Sequence, residues 1–247
     1  MKFSLMEWIG KGADIAGAGI APVFASSLGD PTGGVLAQLG VVLTKEIIDY
    51  AERVQSESEQ RRSAAALLIA GQKIQNRLNA GEELRSDDFF RIRIGTSATA
   101  QTVLDGVLTK ARSQYEERKA LLMGHLLANA SFDDGLSADD LCWMLSCIDS
   151  LTYRHLLILA HFCDQTPSGW TSNNIGQIHT RSPIVLTQIA ELRSLGLLSG
   201  HSTFEVSIEI AATGRLLVQA TDLQGELEIY GEEIIRTIAS PQPYAVG

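Results

Sequence analysis

Cys142, Cys147, His155, His161 and Cys163 lie close together in the chain. Thiolate and imidazole are the donors of a zinc site, or of a cysteine nucleophile with its base. The spacing argues against both. Zinc ligands usually come as close pairs such as Cys-x-x-Cys, whereas five residues along a helix put Cys142 and Cys147 on different sides. No acid or flanking motif orients a histidine toward a cysteine, so the thiols read as small core hydrophobes. Asp133-Asp134 with Asp139-Asp140 offers oxygen ligands for a hard cation, but a turn followed by a helix cap explains all four. Gly10-Lys11-Gly12 and Gly17-Ala18-Gly19 suggest a phosphate loop. Neither follows a strand or continues as Gly-Lys-Ser/Thr, and Ile15 and Pro22 stand where a dinucleotide fingerprint needs its third glycine. His125 reads as an isolated, satisfied helix histidine. The expectation is a protein with no catalytic residue, no cofactor and no metal.

Charge carries more information than any motif. The chain has 247 residues and a formal net charge of −9. Residues 1–119 hold 15 Lys+Arg and 15 Asp+Glu, whereas residues 120–247 hold 5 and 14. No lysine follows Lys119. The imbalance belongs to the C-terminal half, which should repel polyanions. Three cysteines in apolar helical surroundings do not make a disulfide framework, and no secretion signal is evident, so a cytoplasmic bacterial protein is expected.

The elements that would position these groups are mostly helices. Residues 15–44 contain six glycines and one charge, Asp30. The uncharged runs on either side are shorter than the roughly 20 residues a bilayer crossing needs. Small-residue helices packed in a core are the plain reading. A membrane or oligomer segment using Gly17, Gly19, Gly33 and Gly34 is the alternative, because such helices also associate in lipid. From Leu36 to Val54 apolar residues recur at helical spacing, and the stripe resumes at Leu67, Gly71, Ile74 and Leu78. Gly81 marks a stop. One long helix is expected from Ser97 to Asn129, with Leu104, Leu108, Ala111, Tyr115, Leu122 and Leu126 inward. Ser137 to Asp140 resembles a capping box. Leu141–Ile148 should be a short buried helix. Asp149-Ser150 should cap the next, from Thr152 to about Cys163. The three tryptophans, Trp8, Trp143 and Trp170, are expected to be buried.

After a loop at residues 165–169 and a short helix near Ser172–His179, Ser182-Pro183 starts another helix with serine as cap and proline in the first turn. Val185, Leu186, Ile189, Leu192 and Leu195 give its buried face, and Gly196 ends it. Phe204, Val206, Ile208 and Ile210 alternate with polar residues as in a half-buried strand. Thr-Gly-Arg-Leu-Leu at 213–217 opens a last helix. Three helices followed by a β-hairpin make a winged helix. That module holds DNA through cations, yet Leu151 to Leu223 carries four arginines against five carboxylates. The expected role is protein docking, with Thr187, Gln188, Glu191 and Arg193 turned outward from Pro183–Leu195. If the module instead regulates transcription on DNA, His179, Arg181, Arg193 and Arg215 would meet the backbone.

The run from Tyr115 to Phe162, with Leu127-Ala128-Asn129, its acidic turn and Leu151-Thr152-Tyr153-Arg154-His155-Leu156, resembles uncharacterised bacterial helical proteins. It is similar in layout to abortive-infection alpha-type proteins. The resemblance covers about half the chain and implies a link to phage defence, with no functional residue to transfer.

The expected fold is mainly α: a helical domain over residues 1–149, a winged-helix-like domain with a small β-hairpin over 150–225, and a C-terminal helix and tail over 226–247. The expected function is a non-catalytic interaction or effector protein of a phage-defence or stress system. Its partner is another protein or itself as a homo-oligomer, with nucleic acid and conditional membrane contact as the rival partners. At low salt a labelled random-sequence duplex is expected to show no gel shift with the protein; a salt-sensitive shift would establish the DNA-binding alternative.

Overall fold

The computed structural model describes residues 57–90, 99–164, 183–201 and 207–232. The expected hairpin of small-residue helices at 15–44, the stripe from Leu36 to Val54, and the short helix at 172–179 lie outside them. The chain divides into two compact units, Met1–Ser150 and Leu151–Gly247. The described residues are mainly helical, with one two-stranded antiparallel sheet.

In the first unit α1 (Glu57–Asn79), α2 (Thr99–Ser113), α3 (Glu117–Ala130) and α4 (Ala138–Ser150) pack together. A run of small residues makes the tightest seam. Ala64, Ala65, Ala66, Ala70 and Gly71 are buried on α1, and α3 brings Gly124 against them. A Cβ on Gly124 would collide with the backbone carbonyl of Ala66. Leu67, Ile74, Leu104, Leu108, Leu122 and Met123 fill the space around this seam, all buried. The stripe read at Leu67, Gly71 and Ile74 is therefore the core face, whereas Leu78 at its end is half-buried.

α1 ends as Gly81 predicts. Gly81 takes φ of 85°, a left-handed conformation that costs glycine little. Its N–H donates to Leu78 O at 3.0 Å and Glu82 N–H donates to Arg77 O at 3.0 Å, which satisfies two orphan carbonyls. The loop after it is held by Arg85, a buried guanidinium that donates to Asp87 and to Ala130 O.

The single helix expected from Ser97 to Asn129 is two, α2 and α3. The break has a cause. The last carbonyls of α2 are taken by side chains: Arg62 Nε and Nη2 donate to Arg112 O at 3.0 and 2.7 Å, and Ser113 Oγ and Gln114 Nε2 donate to Lys110 O. Arg62 is thus a cap for a neighbouring helix. Tyr115, expected inward, lies in the break and is 77% exposed.

α4 starts on the capping box. Ser137 Oγ accepts from Asp140 N–H at 3.2 Å, and Asp140 Oδ2 accepts from Ser137 N–H and Oγ–H at 3.0 and 2.6 Å. The Ser137 hydroxyl and amide hold the Asp140 carboxyl below its usual range. α4 is longer than Leu141–Ile148 and buries one face. Leu141, Met144, Leu145, Cys147 and Ile148 point in, while Cys142, Ser146 and Trp143, 37% exposed, face out.

In the second unit α5 (Tyr153–Asp164) is central. Against it pack α6 (Pro183–Ser194), β2 (Ser207–Ile210), α7 (Ala212–Thr221) and α8 (Leu223–Tyr230), with β1 (Leu198–His201) paired to β2. Leu156 to Ala160 and Phe162 are all buried, as a helix covered on several sides requires. Gly196, at φ 71°, ends α6 with the same bond pattern as Gly81: its N–H donates to Arg193 O and Leu197 N–H to Leu192 O. No helix among the described residues is long and apolar enough to cross a membrane.

Gly124→Ala is expected to lower stability by about 1–3 kcal/mol, because the α1–α3 seam must open to admit a methyl group. Urea unfolding followed by circular dichroism measures this, and Gly225→Ala, where a Cβ meets open space, is the control.

Candidate functional site

The groups with chemistry gather at two places, one in each unit. In the first, Asp149 near the end of α4 meets two helices. Its Oδ2 accepts from Lys110 Nζ at 2.6 Å and its Oδ1 from Gln114 Nε2 at 2.5 Å. Its backbone carbonyl accepts from Lys119 Nζ at 2.9 Å. Burial works to raise the Asp149 carboxyl, but the Lys110 and Gln114 hydrogen bonds and the Lys110 and Lys119 charges outweigh it and hold it low. Lys119 is 2% exposed. Burial draws its ammonium downward, with Glu116 and Asp149 opposing and Lys110 adding to the fall. Asp149 therefore serves α2, α3 and α4, and not the start of α5 as its position suggested. Lys119 sits among Glu and Arg residues in a sequence that looks like a solvated face, so nothing local signals its burial.

In the second unit the start of α5 is capped by Thr152 and His155. Thr152 Oγ1 accepts from His155 N–H at 3.3 Å, and His155 Nδ1 accepts from Thr152 N–H at 3.2 Å. This is a capping box with histidine in place of glutamate. Because Nδ1 accepts, the ring proton belongs on Nε2, which donates to Glu191 Oε2 of α6 at 2.6 Å. Tyr153 Oη donates to Glu226 Oε2 of α8 at 2.5 Å. His155 and Tyr153 thus tie α6 and α8 to the head of α5. The Thr-x-x-His spacing within Leu151–Leu156 was the available signal.

α6 carries the residues expected to meet a partner. Thr187 is exposed, and its hydroxyl donates back to Pro183 O. Gln188, expected outward, is 8% exposed with its carbonyl oxygen unpartnered. It is buried with Val185, Ile189 and Leu192. Glu191 is exposed but committed to His155. Arg193 is exposed and reaches across to β1, where Nη2 donates to Gly200 O at 3.4 Å. Ile184, 63% exposed, was missed, because its place in an apolar run reads as core. Ala190, Arg193 and Ser194 of α6 face Leu198, Ser199 and Gly200 of β1 across a shallow open groove of about 510 Å³. Arg215 is exposed on α7. His179, Arg181, Gly17, Gly19, Gly33 and Gly34 lie outside the described residues.

The three cysteines are free. Cys142 is exposed and Cys147 buried on opposite sides of α4. Burial pushes the Cys147 thiol up to about 11, away from a reactive thiolate at neutral pH. Among the described residues no three His, Cys, Asp or Glu side chains converge as a metal site requires.

Comparison of the chain with family models, curated proteins and solved structures gives no match.

Two measurements check this geometry. A carboxyl held low in the fold stabilises above its unfolded value, near pH 4, and loses that contribution as pH falls through the folded value. The destabilisation caused by Asp149→Asn is therefore expected to be full at pH 7 and to shrink in urea titrations as pH falls below about 4. Thr152→Val should cost about 1 kcal/mol by removing the α5 cap, whereas Thr152→Asp should retain most of it.

Proposed function

We propose that this protein is a non-catalytic interaction protein of a bacterial phage-defence or stress system, and that its C-terminal unit is a winged-helix-like docking module. The supporting observation is α6, which is tied to α5 through Glu191 and leaves Ile184, Thr187, Ala190, Arg193 and Ser194 exposed. A helix held in place with an open, mixed apolar and polar face suits recognition of another polypeptide. The order α6, β1, β2, α7, with Gly196 turning the chain between helix and strand, supports the winged-helix reading. So does a hairpin in register from Leu198↔Ile210 to His201↔Ser207. The negative C-terminal half favours protein over nucleic acid. The link to phage defence rests on the resemblance over Tyr115–Phe162.

The test is plaque formation on cells that express the protein. Plaques are expected to fall at least tenfold against a susceptible phage. Ile184→Asp with Thr187→Glu is expected to restore them while melting temperature stays within a few degrees of the parent. Unchanged plaque counts across a broad phage panel would overturn the defence reading.

A further inference from the structure

The small sheet offers a backbone edge that faces the groove beside α6. Ala211 N–H donates to Leu197 O at 3.0 Å, so this pair is a hydrogen-bonded one. In an antiparallel ladder such pairs alternate with non-bonded ones. With Leu198 opposite Ile210 and Gly200 opposite Ile208, the bonded pairs are Ser199–Glu209 and His201–Ser207. The N–H and C=O of Leu198 and Gly200 therefore point away from β2. The bond from Arg193 to Gly200 O confirms that this outer edge looks toward α6. At 3.4 Å that bond is long and easily exchanged. Among the six residues lining the groove, Arg193 carries the one ionisable side chain.

We infer that the groove between α6 and β1 receives an extended segment of a partner protein as a third strand, with an acidic side chain of that segment paired to Arg193. The Leu198 and Gly200 backbone groups supply the hydrogen bonds of strand addition. Ala190, Ser194 and Ser199 are small enough to leave room for a main chain. Arg193 selects for a carboxylate by a charge-assisted bond stronger than the one it gives up to Gly200 O. Glu209, opposite Ser199, and Glu191, two residues before Arg193, flank the groove, so one acidic residue set against Arg193 is favoured over an acidic run. The inference rests on the docking reading of this unit and names the class of partner.

The experiment uses the full-length protein and a fluorescein-labelled heptapeptide, Val-Thr-Val-Glu-Val-Thr-Val, read by fluorescence anisotropy. Saturable binding is expected. Replacing the peptide glutamate by lysine should weaken it at least tenfold. N-methylating alternate backbone amides of the peptide should do the same, because strand addition needs those donors. Arg193→Glu should reverse the preference in favour of the lysine peptide, a result that misfolding cannot produce. Three outcomes would overturn the inference: no saturation at millimolar peptide, equal binding of the N-methylated peptide, or self-association of the protein that Arg193→Glu abolishes, which would make a second copy the occupant. Loss of peptide binding with phage protection intact would remove this inference alone, whereas peptide binding without protection would leave the groove and remove the defence reading.

Discussion

Close approach of two helix backbones holds the first unit together. α1 and α3 meet where Gly124 lies on the Ala66 carbonyl, and the alanines around Ala66 leave nothing to keep the helices apart. Dispersion contacts fall off steeply with distance, so a seam at this spacing gains packing that a single added methyl would forfeit. α2 and α4 then complete the core over α3. The polar groups at its margin follow from that geometry: Asp149 can reach Lys110 and Gln114 because α2 and α4 are already in contact.

The second unit depends on the head of α5. Thr152 and His155 cap the helix for each other, and the same imidazole holds α6 through Glu191. Tyr153 holds α8 through Glu226. Fixing α6 against α5 sets which residues it leaves exposed, and those include the wall of the groove beside β1. Glu191 thereby belongs to the scaffold and Arg193 to the surface, although they are two positions apart on one helix.

Much of the fold was legible in the sequence wherever the signal is local. Gly81 and Gly196 stop helices because the chain turns left-handed there, Ser137 and Asp140 satisfy each other across one turn, and Pro183 opens α6 in the first turn, where its missing amide is harmless. The alternation through Ile208 and Ile210 marks the strand that pairs with β1. The errors share another cause. The 97–129 periodicity suggested a single helix because the groups that end α2, Arg62 above all, come from another helix. Tyr115 fitted the stripe by spacing and fell outside the core when the axis changed.

Composition and periodicity by themselves determined a mainly helical chain, the stops at Gly81 and Gly196, the cap at Ser137, a small strand pair and the acidity of its C-terminal half. These depend on backbone preferences and charge counts that each residue carries wherever it is placed. Only the tertiary structure decided that Lys119 is buried, that Gln188 faces inward, that His155 reaches Glu191 and that the outer edge of β1 looks into a groove. Each of those depends on which surface of one element is covered by another, a relation between residues distant in the chain that no local pattern encodes.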